Sequence, residues 1–239
     1  MTALHYTSAS YSHVGMVRKI NEDASLELTD SGCWAVADGM GGHAAGDYVS
    51  SLTVDSLRQL PRVDTLEQCA EAIRGTLARV NQAVREETAR RGVAMMGSTV
   101  VVLAARARQA IGLWAGDSRL YRLRGRRFER LSHDHSYVQE LQDSGLLSEA
   151  EARVHPRGNI VTRAIGVLDQ LELQAVTLQV EPGDTYLLCS DGLNKTAEDH
   201  EIADVLAHPD PYLVVRSLVH LGLTRGAPDN ITAVVVKAN

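Results

Sequence analysis

Short apolar runs follow one another along this chain, and that succession limits the fold more than any other feature. The runs are "CWAVAD" (Cys33 to Asp38), "STVVVLAA" (Ser98 to Ala105), "AIGLWAGD" (Ala110 to Asp117), "LYRLR" (Leu120 to Arg124), "DTYLLCSD" (Asp184 to Asp191) and "ITAVVVKA" (Ile231 to Ala238). Each is short, rich in Val and Leu, and bounded by Gly, Asp or Asn, which marks strands. Strict strand-helix alternation would build a parallel sheet. Strands in adjacent runs favour antiparallel sheet with helices packed outside, an α+β layered architecture. "RLRGRRFERL" reads as a hairpin turned at Gly125.

Helical periodicity fills the gaps. Ala44 to Leu60 follows a glycine-rich loop and reads as one helix. Asp64 to Arg91 reads as a second, with Leu66, Ala70, Ile73, Leu77, Val80 and Val84 on one apolar stripe. "DPYLVVRSLVHLGL" is a third. The chain carries no repeat, low-complexity tract or linker, so one domain over residues 1–239 is expected.

Composition excludes several classes. With 239 residues, 44% hydrophobic and 23% charged, the chain is long and apolar enough to bury a core. A formal net charge of -6 gives no general attraction to nucleic acid or to an anionic membrane. The 3 cysteines, Cys33, Cys69 and Cys189, are too few and too apolar in context for a disulfide framework. The N-terminal stretch lacks the apolar segment of a signal peptide, and runs such as Val100 to Ala105 are too short to span a bilayer. A soluble, cytoplasmic monomer is the default expectation.

Chemistry gathers at the strand ends. Asp38, Asp117 and Asp191 each close an apolar run in "VADG", "AGDS" and "CSDG". Asp229 stands in "PDN" just before the last run, and "RKINEDA" supplies Glu22 and Asp23. Any one aspartate at a strand end is commonly a turn residue that bonds its own backbone. The repetition is what chance explains poorly. Carboxylates converging at one end of a sheet repel each other unless cations sit between them, and oxygen-only ligands favour Mg²⁺ or Mn²⁺.

Eight segments then carry a resemblance. In order they are "RKINEDA", "VADGMGGHAAGD", "GSTVV", "GDSRLYRLR", "LSHDHS", "VTRAIG", "CSDGL" and "PDNITAVVV", and together they span almost the whole chain. The sequence resembles the metal-dependent Ser/Thr protein phosphatases of the protein phosphatase 2C family, in their compact bacterial form. The resemblance implies a four-layer α-β-β-α sandwich, two mainly antiparallel sheets flanked by helices. It implies hydrolysis of phosphoserine and phosphothreonine in proteins, opposing a Ser/Thr kinase. The implied partners are therefore phosphorylated protein substrates and a cognate kinase pathway, with no nucleic acid and no membrane.

The implied cofactors are two Mn²⁺ or Mg²⁺ ions, with a third at Asp117. Asp38 would bridge the two ions, the Gly39 carbonyl would ligate one, and Asp191 and Asp229 would hold the other. Asp117 would share the third ion with Asp191. Glu22 and Asp23 would act through metal-bound water, and Arg18 would hold the substrate phosphate. Asn230 would order the loop carrying Asp229. Two cations about 4 Å apart make a bridging hydroxide available near neutral pH for in-line attack on phosphorus. Arginine suits the phosphate because its planar fork matches two oxygens.

One position departs from the family pattern. Many eukaryotic relatives read "DGHGG", with a histidine proposed as general acid; here it is Met40. His43, three residues on, reads as a structural helix-start residue, and the acid falls to metal-bound water organised by Asp117. Gly145 to Arg163 corresponds to a flap segment and reads equally as an ordinary helix-loop connection. The arginines of "RLRGRRFER" read as a solvated face, and "SHDH" at Ser132 to His135 as a structural turn.

Rival functions fit less of the chain. "GMGGHA" matches a dinucleotide fingerprint, and "GGHAAGD" imitates a phosphate loop but continues with Asp47 and Tyr48 where Lys and Ser/Thr are needed. A cysteine-dependent phosphatase needs an arginine six residues after its cysteine, where this chain has Gly39, Gly75 and Lys195. A catalytically silent binding module would have lost metal ligands, and every expected ligand position is filled.

Overall fold

Along the strand Cys33–Met40, alternate side chains enter different cores. Trp34 and Val36 meet Leu103, Leu120, Tyr186, Leu188, Val234 and Val236. Cys33, Ala35 and Ala37 meet Ile73, Leu77 and Val84 instead. Both faces are therefore covered, and a strand covered on both faces reads as a continuous apolar run.

A computed structural model describes residues 4–41 and 45–239 of the chain. Its strands are β1 (Tyr6–His13), β2 (Asp23–Leu28), β3 (Cys33–Met40), β4 (Gly97–Ser98), β5 (Val100–Arg106), β6 (Gln109–Ala115), β7 (Arg119–Arg124), β8 (Arg127–Arg130), β9 (Gln174–Gln179), β10 (Thr185–Cys189) and β11 (Ile231–Ala238). The helices are α1 (Ala45–Arg58), α2 (Leu66–Arg91), α3 (Tyr137–Asp143), α4 (Glu149–Arg153), α5 (Asp191–Asn194), α6 (Asp199–Leu206) and α7 (Pro211–Thr224).

Two sheets form, one in the order β1-β11-β10-β7-β8 and one in the order β2-β3-β5-β6-β9, with β4 beside β3. Every pairing within them is antiparallel. Helices α1 and α2 cover the outer face of the second sheet. Helices α6 and α7 cover the outer face of the first, over Tyr121, Leu187, Ala233 and Val235. The result is the α+β arrangement expected, two antiparallel sheets flanked by helices.

Helix ends follow local chemistry. Thr65 caps α2 by accepting from Gln68 N, Gln68 reaches back to Thr65 N, and Gly92 ends the helix with φ 65°. Pro211 opens α7 behind the Asp210 cap. The second predicted helix therefore begins at Leu66, and the first runs Ala45–Arg58. Ala44 and His43, where the sequence placed a helix start, lie outside the described residues.

Two strand expectations need correction. The run Ser98 to Ala105 breaks at Thr99 into β4 and β5. Thr99 N donates to Asp38 O at 2.9 Å, and Asp38 N donates to Thr99 Oγ1 at 3.3 Å, so the ladder is interrupted beside Asp38. Strands β1, β2 and β9 fall outside the predicted runs, and all three are sheet edges. The arginine hairpin is less solvated than expected: Arg122 pairs with Glu129, and Arg124 with Asp184 and Glu181.

Candidate metal centre

Register brings the first two carboxylates together. Asp23 opens β2 directly opposite Asp38 on β3. Glu22 lies one residue before, with its carbonyl accepting from Gly39 N at 3.1 Å. Asp117 follows the end of β6, Asp191 opens α5 just after β10, and Asp229 precedes β11. The second sheet thus supplies Glu22, Asp23, Asp38, Gly39 and Asp117, and the first supplies Asp191 and Asp229. Ser190 joins the two, because its hydroxyl donates to Asp23 Oδ2 at 2.7 Å and accepts from Thr232 N at 2.9 Å.

These groups feel one another. Burial, and then the charges of Asp23, Asp191, Asp117 and Asp229, push the Asp38 carboxyl well above the usual carboxylate range. Asp23 is pushed up to about 7, by burial first, against hydrogen bonds from Thr232 and Ser190. Asp117 is raised to about 7 by burial and by Asp191, with Lys195 pulling the other way. Convergent carboxylates of this kind are the electrostatic partner of a cation.

The donor set fits hard divalent ions. Glu22 Oε1 and Asp23 Oδ1 are buried with no hydrogen-bond partner. Among the described residues of the cluster every side-chain ligand is an oxygen, which suits Mg²⁺ or Mn²⁺ over softer metals. Among the described residues no three His, Cys, Asp or Glu side chains close on a single point. Asp38, Asp191 and Asp229, close enough that the charges of the last two raise the Asp38 carboxyl, could hold such ions, with Asp117 in the field of Asp191.

Amides and glycines fix the loops. Asn230 Oδ1 accepts from Glu22 N at 2.8 Å, while its Nδ2 donates to Val14 O at 2.9 Å and Ile20 O at 3.0 Å. One side chain therefore ties the segment carrying Arg18 and Glu22 to the last strand. At Gly39 a Cβ would lie 2.2 Å from Gly46 O and 2.6 Å from Glu22 O. At Gly46 a Cβ would lie 2.6 Å from Glu22 Oε1. The glycines of the loop let β3, the start of α1 and Glu22 approach to backbone contact.

Two cations reach the cluster. Arg18 Nη2 donates to Asp229 Oδ2 at 2.8 Å, with the guanidinium half-exposed. Lys195 pairs with Asp191 Oδ2 and donates to Asn159 Oδ1 at 2.7 Å. Burial alone would lower the Lys195 ammonium, but Asp191 and Asp117 push it up. The sequence reading did not place Lys195 at the site; its signal was the four-residue spacing from Asp191 on one helical turn. Asn159 belongs to the arm between α3 and β9, which was expected as a flap or a plain connection. A cavity of about 570 Å³ opens between this arm and α5, lined by Asp117, Arg130, Arg153, His155, Asn159 and Lys195.

The "SHDH" turn is structural. Asp134 takes a bidentate bond from Arg119, and His135 Nδ1 accepts from Gly116 N at 3.2 Å. Arg163 pairs with Glu172 at 3.4 Å and braces the far end of the arm.

An ordinary carboxyl titrates near about 4. Between there and about 7 the folded chain keeps protons on Asp23 and Asp117 that the unfolded chain has lost. The folded state binds more protons, so stability without metal falls as pH rises through that window. Tm in EDTA is expected to be higher at pH 5 than at pH 8, and excess Mn²⁺ to shrink the difference. A Tm in EDTA that rises over that interval would contradict the arrangement.

The chain is similar to known proteins of one family. The family model described as Protein phosphatase 2C matches residues 11–220. The chain is 37% identical over 211 residues to the protein phosphatase PhpP of Streptococcus pneumoniae, covering 85% of each chain. Its structure is similar to that of "PppA, a key regulatory component of T6SS in Pseudomonas aeruginosa", with TM-score 0.94, 64% identity and 100% of both chains covered. It is also similar to the catalytic domain of the serine/threonine protein phosphatase PstP in complex with two manganese ions, with TM-score 0.86, 32% identity, and 98% and 99% covered.

Proposed function

Because the chain belongs to the protein phosphatase 2C family, we propose that it removes phosphate from phosphoserine and phosphothreonine in proteins, opposing a Ser/Thr kinase, as one catalytic domain over residues 1–239. The observation that carries this reading is the meeting of Asp23, Asp38, Asp117, Asp191 and Asp229 at the ends of both sheets, each raising the Asp38 carboxyl or raised with it. The manganese complex of PstP supports a two-ion centre. The 64% identity to PppA supports a regulatory role in a T6SS.

Asp38 and the Gly39 carbonyl would hold one ion, and Asp38, Asp191 and Asp229 the other. Glu22 and Asp23 would stand one water further out. When bound, the ion pair supplies Lewis-acid charge and a water acidic enough to attack phosphorus near neutral pH. The protein's own residues do the rest. Arg18, beside Asp229, orients the phosphate and offsets charge on its equatorial oxygens. Met16, Val17 and Ile20 flank it with exposed apolar surface suited to a polypeptide. Met40 carries no transferable proton, so Asp117 orders the water that protonates the leaving oxygen. The buried free thiols of Cys33, Cys69 and Cys189 support a reducing, cytoplasmic setting. No helix among the described residues is long and apolar enough to cross a membrane.

Hydrolysis of a phosphothreonine peptide with Mn²⁺, with and without EDTA, tests the proposal. Release of phosphate that depends on Mn²⁺ is expected; release unaffected by EDTA would sink it. Arg18→Ala is expected to cut kcat/KM about 100-fold, roughly 3 kcal/mol. Arg18→Lys should recover only part of this, because an ammonium cannot make the forked contact. Full recovery by lysine would argue for simple charge instead.

A further inference from the structure

The family resemblance sets a third ion at Asp117 and Asp191, and in this chain an ammonium stands there. Resting on the two-ion centre proposed above, we propose that Lys195 is the resident cation of the Asp117–Asp191 pair, so that the protein binds two divalent ions and has no third site.

Three observations carry this. First, Lys195 Nζ donates to Asp191 Oδ2, an oxygen of the carboxylate that a third ion would share. An ammonium held against that carboxylate takes up part of its accepting capacity and repels a further cation placed beside it. Second, the lysine is built onto the turn of its partner: Lys195 N donates to Asp191 O at 2.9 Å, closing α5. The charge is thus delivered intramolecularly, at an effective concentration a loosely held ion cannot match. Third, the same ammonium donates to Asn159 Oδ1 at 2.7 Å on the arm. It therefore joins the floor of the site to the wall of the adjoining cavity, which a hydrated ion does not do by a side-chain tether. Asp117 is 6% exposed and lies in the field of both Asp191 and Lys195. A single positive charge fixed beside two carboxylates offsets part of their repulsion without desolvating a divalent ion.

Metal stoichiometry tests the proposal without recourse to turnover. Mn²⁺ bound per chain is measured by equilibrium dialysis with elemental analysis, and by calorimetry, at saturating Mn²⁺. The protein itself, Lys195→Arg, Lys195→Gln and the double variant Lys195→Gln with Asp117→Asn are compared, with circular dichroism as the check of folding. Two ions are expected for the protein and for Lys195→Arg. Three are expected for Lys195→Gln, falling back to two in the double variant. A third ion in the unaltered protein, or no gain in Lys195→Gln, overturns the role of Lys195 and leaves the two-ion centre standing. Fewer than two ions in the unaltered protein overturns the two-ion reading, and this inference with it.

Discussion

Asp38→Asn is expected to lower kcat by about 1000-fold or more, about 4 kcal/mol in the barrier, while the chain still folds. Asp38 is the carboxylate on which the charges of Asp23, Asp191, Asp117 and Asp229 all act. The amide has the same shape but no charge to share between two ions. The same substitution should stabilise the protein without metal. Burial and four neighbouring aspartates hold the Asp38 carboxyl well above its usual range, so its ionisation opposes folding near neutral pH. The amide carries no such penalty. Tm in EDTA at pH 7.5 should rise by roughly 3 °C or more, since about 1 kcal/mol shifts a chain of this size by 2–4 °C. The gain in Tm on adding Mn²⁺ should shrink. Activity within about tenfold of the unaltered enzyme, or a lower Tm in EDTA, would remove Asp38 from the centre.

Asn230→Ala is expected to be the most damaging change at a residue that touches neither ion nor substrate. Its side chain satisfies Glu22 N, Val14 O and Ile20 O in a half-buried setting. Each buried backbone group left unpaired costs about 1–3 kcal/mol, so a loss of about 3 kcal/mol in stability is expected once water reaches some of them. The loop then released carries Arg18 and Glu22, so kcat/KM should fall about 100-fold, the size of effect a misplaced site produces. Denaturant unfolding and steady-state kinetics on one preparation check both. Asn230→Asp is the sharper variant, since it keeps the acceptor for Glu22 N but loses the donors to the two carbonyls. If Asn230→Ala keeps its kinetics while losing stability, the loop is held by other means.

What could be read from the sequence divides along the sheets. Strands β3, β5, β6, β10 and β11 have both faces buried over most of their length, so their residues are apolar at nearly every position and visible as runs. Strands β1, β2 and β9 lie at edges, and polar sequences such as "YTSASYSH" carry no run at all. The register of β1 and β9 is set by a neighbour far away in sequence, as in the pairing of Tyr6 with Ala238. The site divides in the same way. Asp38, Asp117 and Asp191 were legible because strand ends announce them. Lys195 was not, because its place depends on the short turn of α5 and on an arm residue 36 positions away. Ser190, which joins the sheets through Asp23, looked like an ordinary residue between a strand and its aspartate.

Strand β11 is made after every other strand described, yet it lies between β1, the first of them, and β10. Until it arrives, β1 has no strand to pair with, and Asp229 and Asn230 are not yet beside the carboxylates of the other sheet. A growing chain therefore holds most of its ligands without a finished centre. The centre is complete only once β11 has been made, and a product that lacks β11 has neither the middle of its first sheet nor Asp229 beside the other carboxylates.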